Sequence, residues 1–134
     1  MANPNIAALA TIKGQTGYLK PAAAATSNTN WTYDGVTALT GLTPSANSVN
    51  RVNTVVASNL TANAASITLS VSDNPTFASG NAYPIVYNVS VPANASLVVS
   101  DKSTIFYITE NQSLAANVTV ASAISVLVSY ETIS

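Results

Sequence analysis

The sequence predicts an all-β protein: an antiparallel β-sandwich, jelly-roll or Ig-like, with about seven to nine strands and an N-terminal arm. Apolar and polar residues alternate with a period of two through most of the chain. Clusters of Asp, Asn, Pro, Gly and Ser interrupt the alternation at spacings of roughly 8 to 12 residues. No convincing helix is found, because AALATIK is short and AAAAT follows a proline. Together these patterns indicate short strands joined by turns.

The length of 134 residues suits a single domain, residues 1–134. Residues 1–48 have weak periodicity and many small side chains, which predicts an N-terminal arm or strand followed by a long, ordered loop region. Trp31 and Tyr33 lie two apart in TNWTYDG and would point the same way from an extended chain. They either cap the end of the sandwich core or contact a neighbouring subunit or a sugar.

The middle of the chain predicts three strands. RVNTVVASNL, residues 51–60, is rich in β-branched residues, and ASITLSVSD, residues 65–73, alternates as a half-buried strand does. The turn-forming stretch SDNPTFASGN leads from there to PIVYNVSV, residues 84–91. Alternation in that third strand predicts one shared face for Ile85, Tyr87, Val89 and Val91.

The C-terminal part predicts four further strands, separated by the turns VPAN, SDKS and TENQ. These strands are SLVVS (96–100), STIFYI (103–108), NVTVAS (117–122) and AISVLVSYETI (123–133). In the last strand the apolar face opposes a face of Ser, Leu and Glu, so we expect Leu127 to be partly covered or exposed. Tyr87 and Tyr130 are expected at the edge of the core, with their hydroxyl groups at its rim.

Charged residues make up only 7% of the chain, against about 25% in ordinary globular proteins. The surface is therefore built from hydroxyl and amide groups, which tolerate close packing against copies of the same chain. This favours an assembled protein, with a soluble monomer of neutral surface as the alternative. The net charge is −1 and the basic residues are scattered, so direct binding of nucleic acid is not expected.

The chain has no cysteine and no histidine, which excludes disulfides, thiol catalysis and histidine acid–base chemistry. The carboxylates have neither the pairing of a glycosidase nor the Asp-x-Asp pattern of a calcium loop. We therefore expect no enzymatic activity, no metal and no cofactor. No basic segment precedes an apolar one at the N-terminus, and no apolar run approaches 18 residues. A secretory signal and a membrane span are thus not expected.

About 60 residues at the two ends carry a resemblance to a known family. The chain opens with MANPNIAALATIKGQT. From Val91 to Ser134 it contains, in order, a VPA turn, a short apolar strand, FYI, ENQ, SL, an Ala/Ser-rich strand and SYETIS. This pattern resembles small virion structural proteins of tailed bacteriophages, closest to those of marine cyanobacterial phages of the T4-like type. The resemblance implies a β-sandwich that sits on the particle as a capsid decoration (cement) protein.

Function is therefore expected to be structural: a non-enzymatic virion protein that binds and stabilises the assembled capsid shell. A neck, tail or fibre component and a glycan-binding surface module are the alternatives. The expected partners are further copies of the chain, as a trimer, and the major capsid protein or other virion proteins. The expected location is the capsid surface of the virion, after synthesis in the host cytoplasm. The residues expected to make assembly contacts are Asn3, Pro4, Ile6, Tyr18, Trp31 and Tyr33.

Overall fold

The computed structural model describes residues 11–21, 31–32 and 38–134. These residues form ten antiparallel strands in two sheets, and the predicted all-β sandwich is confirmed. The strands are β1 (Ile12–Leu19), β2 (Trp31–Thr32), β3 (Ala38–Leu39), β4 (Val49–Asn59), β5 (Ala65–Ser72), β6 (Ala82–Val91), β7 (Ser96–Ser100), β8 (Phe106–Thr109), β9 (Ser113–Val118) and β10 (Ile124–Ile133). Short 3₁₀ turns occupy Thr40–Leu42 and Phe77–Ser79.

The larger sheet has the strand order β3-β2-β1-β10-β4, and β7 and β8 share the remaining edge of β4. β8 pairs with β4 residues 49–52, and β7 pairs with β4 residues 55–58. β1 pairs with β10 over its full length, so this early strand lies inside the sheet, next to the last one. The smaller sheet has the order β6-β5-β9.

The core lies between the two sheets, where the inward-facing side chains of the alternating strands meet. The larger sheet contributes Val52, Val55, Ile124, Val126, Val128 and Tyr130, and the smaller sheet Ile67, Leu69, Val91, Leu114, Ala116 and Val118. Each large aliphatic side chain buried in this way stabilises the fold by about 1.5–3 kcal/mol relative to an exposed one. The inward face predicted for the last strand is thus confirmed, and Leu127 is exposed as expected.

β6 departs from the predicted alternation because it carries two bulges against β5. At one of them, Tyr87 and Asn88 lie opposite the single residue Thr68. Asn88 has a φ of 49°, and its backbone N–H donates to Thr68 Oγ1 at 2.8 Å. The extra residues reverse the faces, so Val86 packs against the core while Ile85 and Tyr87 are exposed. The shared face predicted for Ile85, Tyr87, Val89 and Val91 is therefore wrong, because Val91 is buried while Ile85 and Tyr87 are exposed. The position predicted for Tyr87 at the edge of the core is wrong as well.

The strand predicted at residues 117–122 is also displaced. β9 runs from Ser113 to Val118, and the chain turns through residues 119–123, with a φ of 56° at Ser122. The segment SLAANV has few β-branched residues, so its propensity did not indicate a strand. It becomes one because β5 pairs with it along all six residues. Tertiary pairing therefore overrides a weak local preference.

Candidate functional site

A row of apolar side chains crosses the outer face of the larger sheet. Tyr18 of β1 pairs with Leu127 of β10, Leu127 pairs with Val56 of β4, and Val56 pairs with Val98 of β7. The neighbours of each residue along its strand point into the core, so these four side chains point outward. Leu127 is 48% exposed and Val98 61%, while Tyr18 and Val56 are half-buried. We call these four residues the apolar row.

Hydroxyl-bearing residues border the apolar row on both sides. One flank consists of Ser125, Ser58 and Ser96, and the other of Thr16, Ser129 and Thr54. The hydroxyl groups of Ser58 and Ser96 are hydrogen-bonded to each other at 2.8 Å. Short, uncharged side chains thus frame most of the apolar row, and the exposed Lys20 lies two residues after Tyr18 at its β1 end. Such a surface can approach another flat surface closely.

A second row on the same face carries charge. Gly14, Glu131, Arg51 and Tyr107 are cross-strand neighbours in that order, from β1 through β10 and β4 to β8. Arg51 Nη1 lies 3.7 Å from Glu131 Oε2, and the two side chains are 39% and 34% exposed. A half-exposed pair of this kind contributes at most about 1 kcal/mol to folding. We call these four residues the charged row.

The smaller sheet carries a groove of about 490 Å³ on its outer face. Thr68, Ser70, Ala115 and Asn117 form its floor, and the bulge in β6 places Tyr87 at its edge. Tyr87 is 76% exposed. The remaining lining residues are Phe77, Ala82, Pro84 and Asn88, so the lining has no charged side chain.

The turn between β5 and β6 places Phe77 beside this groove. The Asp73 carboxylate accepts hydrogen bonds from the backbone N–H of Asn81 at 2.7 Å and from its Nδ2 at 3.2 Å. These bonds hold the pKa of Asp73 below its ordinary value. A Cβ on Gly80 would lie 2.5 Å from Asp73 Oδ1. The turn therefore favours glycine, which has no side chain, at that position. Asp73 therefore has the structural role in a turn that its sequence context predicts.

At one end of the sandwich, the segment before β4 is fastened to the sheet by polar contacts. Asn50 Nδ2 donates to the Leu42 carbonyl at 2.7 Å, and Thr132 Oγ1 donates to Asn50 Oδ1 at 2.7 Å. The backbone N–H of Asn47 donates to Glu110 Oε2 at 3.0 Å. A cavity of about 150 Å³ lies next to these groups. The contacts of Asn50 satisfy its buried amide, whereas Glu110 Oε1 is buried without a hydrogen-bond partner. The described residues at this end of the sandwich bring together no set of groups suited to nucleophilic chemistry.

Of the predicted assembly residues, the structure places Tyr18 in the apolar row. Trp31 lies in β2, where its backbone pairs with Leu39. The other four, Asn3, Pro4, Ile6 and Tyr33, lie outside the described residues. The sequence did not reveal that Val56 and Val98 join Tyr18 and Leu127, because strand register decides which outward residues become neighbours. The outward position of Leu127 was the one available signal.

Among residues 11–21, 31–32 and 38–134, no three acidic side chains lie close enough to hold a metal ion. The same residues include no helix long and apolar enough to cross a membrane. Compared with known proteins, the chain matches no family model, and neither a curated protein nor a solved structure is significantly similar to it.

Proposed function

We propose that this chain is a non-enzymatic structural protein of a bacteriophage virion that decorates and reinforces the capsid. The observation that carries the proposal is the apolar row, four residues wide across a sheet face and framed by hydroxyl groups. Covering exposed apolar surface favours association, less the entropy lost when two molecules pair. A face of this kind suits contact with another protein surface.

Two features of the sequence support a place on a virion. Only 7% of the residues are charged, so the chain packs against neutral neighbours with little charge to desolvate. The two ends resemble virion structural proteins of tailed phages. Many copies that bind the assembled shell, and not its separate subunits, stabilise the shell by mass action. In this proposal the N-terminal arm with Asn3, Pro4 and Ile6 reaches the major capsid protein.

Antibody labelling of intact particles tests the location. Label over the whole head is expected for a decoration protein. Label restricted to one vertex or to the tail would replace this proposal with that of a neck, tail or fibre component. Particles that lack the chain should also release their genome at a lower temperature than complete particles, and equal resistance to heating would contradict the cement role.

A second function, glycan binding, is favoured by the groove on the smaller sheet. The exposed ring of Tyr87 offers an apolar face beside uncharged hydroxyl and amide groups, a combination that suits the faces and hydroxyl groups of a sugar. This site differs from Trp31 and Tyr33, on which the sequence-based hypothesis rested. A glycan array probed with the protein tests it. Binding should be lost in Tyr87→Ala and kept in Tyr107→Ala, which removes an exposed tyrosine from the other sheet. An array without any signal would end this hypothesis.

A further inference from the structure

We propose that a second copy of this chain covers the apolar row, and that the two copies are related by a two-fold axis parallel to the strands between β10 and β4. The inference deepens the structural role proposed above and rests on it for its purpose. It supplies a definite partner for one face. The pairing is inferred from the cross-strand order of the residues in the apolar row and in the charged row.

The apolar row is matched to itself by this symmetry. Its four residues lie on β1, β10, β4 and β7, in that order across the sheet. A two-fold axis between β10 and β4 therefore places β1 of one copy over β7 of the other, and β10 over β4. Leu127 then lies over Val56 of the second copy, and Tyr18 lies over Val98. All four side chains are covered in both copies at once, as an isologous contact requires.

The charged row is matched by the same operation. Glu131 lies over Arg51 of the second copy and Arg51 over its Glu131, so two opposite-charge contacts form. At the outer positions Gly14 faces Tyr107 of the second copy. Gly14 is exposed and has open space where a side chain would stand, which leaves room for the Tyr107 ring. Charge and size are therefore complementary in the register that also aligns the apolar rows.

Another arrangement of two copies lacks this match. A two-fold axis perpendicular to the strands, along the apolar row, would stack Tyr18 on Tyr18 and Leu127 on Leu127. It would also carry Arg51 and Glu131 to the opposite end of the sheet, over the uncharged turns that follow β4 and β9. Arg51 would then have no carboxylate of the second copy opposite it, and Glu131 would have only Lys20 of the second copy, one strand and one row away. The parallel axis is therefore the better fit.

The face is small for a specific interface, a size class in which weak and transient complexes are common. Four strands and eight residues per strand span about 19 Å by about 27 Å, so pairing would bury on the order of 1,000 Å² in total. That is the small end of specific interfaces, and we expect a dimer that dissociates in the micromolar range. An isologous contact closes with two copies, so the trimer expected from the sequence would need a different surface.

Sedimentation of the purified full chain over a concentration series tests the pairing. The wild-type chain should shift from monomer to dimer, and Leu127→Glu should raise the dissociation constant about tenfold or more, because a charge is then buried against Val56. Val120→Glu is the matched control: its site is 46% exposed, against 48% for Leu127, and lies outside both sheets, so its dissociation constant should equal that of the wild type. Circular dichroism confirms that each variant is folded.

Cross-linking tests the position of the axis. The wild-type chain has no cysteine, so an introduced cysteine is the only thiol that can react in each variant. Tyr18→Cys and Val98→Cys should cross-link through a short bismaleimide when mixed, because these positions lie about 10 Å apart across the interface. Tyr18→Cys alone should not, since its two copies lie about 17 Å apart. Efficient cross-linking of Tyr18→Cys to itself would overturn the proposed axis. A chain that stays monomeric at all concentrations would overturn the pairing itself, whatever antibody labelling of particles shows.

Discussion

At the scale of single residues, Gly41 has the strictest requirement among the described glycines. Its φ is +60°, and a Cβ would lie 2.5 Å from Ser113 Cβ, with the Ser113 backbone directly behind it. Residues with a Cβ rarely adopt this left-handed conformation. The atoms that a Cβ would meet belong to β9, whose backbone is held by its pairing in the smaller sheet. The 3₁₀ turn before β4 therefore depends on this glycine to close onto the smaller sheet.

Gly41→Ala should destabilise the protein by about 1–3 kcal/mol, because backbone strain and a steric clash act together. Urea-induced unfolding, followed by circular dichroism at low protein concentration, measures the loss. Gly14→Ala is the matched control, since a Cβ there meets no atom within 4 Å. Equal stability of the two variants would show that β9 yields at Ser113.

Two carboxylates in turns make stability depend on pH. The side-chain and backbone hydrogen bonds from Ser103 to Asp101 lower the pKa of Asp101, as those from Asn81 lower the pKa of Asp73. The folded-state pKa of each group is lowered below its unfolded value of about 3.8. The stabilisation they provide is therefore fully present above that value and is lost as the pH falls through the folded-state pKa.

We expect the melting temperature of the wild-type chain to fall below about pH 4, and the fall to be shallower in Asp73→Asn/Asp101→Asn, because the variant has lost these titrating groups. Thermal melts at half-unit pH intervals measure both slopes. If the two slopes coincide, other carboxylates are responsible for the acid sensitivity.

At the scale of elements, the bulge in β6 decides what the smaller sheet exposes. The bulge turns Tyr87 out to the groove and Val86 in to the core, and it rests on Asn88 with its positive φ. Asparagine tolerates that conformation better than most residues, whereas a β-branched residue does not. Asn88 thus helps to decide which side of the sheet the side chains of Val86 and Tyr87 lie on.

Asn88→Val should cost about 1–2 kcal/mol, because valine in the left-handed region crowds its own backbone. Asn88→Gly should be close to wild type, since glycine adopts this conformation readily. Thermal or chemical denaturation of the pair gives the comparison. A valine variant as stable as the glycine variant would mean that β6 can slip out of the bulge into regular pairing.

At the scale of the whole molecule, only 7% of the residues are charged, so a single charged side chain on a face strongly affects how that face pairs with another. In the proposed dimer Arg51 and Glu131 each face the opposite charge of the second copy. Within one chain their half-exposed pair contributes at most about 1 kcal/mol, so exchanging the charges should change folding little. Its main effect should be on association.

Arg51→Glu and Glu131→Arg should each weaken self-association, because each places like charges face to face across the two-fold axis. The double variant with both changes should recover most of the wild-type dissociation constant. Sedimentation measures association, and thermal melts serve as the control for folding. A double variant as weak as either single one would speak against the proposed register.

The sequence by itself determined the fold class, because a period of two needs no long-range information to be recognised. It also determined the inward face of β10, from Ile124 to Tyr130, and the outward position of Leu127. It indicated the absence of histidine and cysteine chemistry directly from composition. These are local properties: each depends on a residue and its near neighbours along the chain.

Only the tertiary structure decided the rest. The bulge at Asn88 reversed the facing of Ile85 and Tyr87, since an extra residue in a strand is visible only against its partner. β9 became a strand through pairing with β5 and not through its own propensity. The apolar row exists because register aligns Tyr18, Leu127, Val56 and Val98 across four strands that are distant in sequence. The alternation of apolar and polar residues sets which face each side chain joins, whereas the partner opposite it on a strand distant in sequence follows from pairing across the sheet.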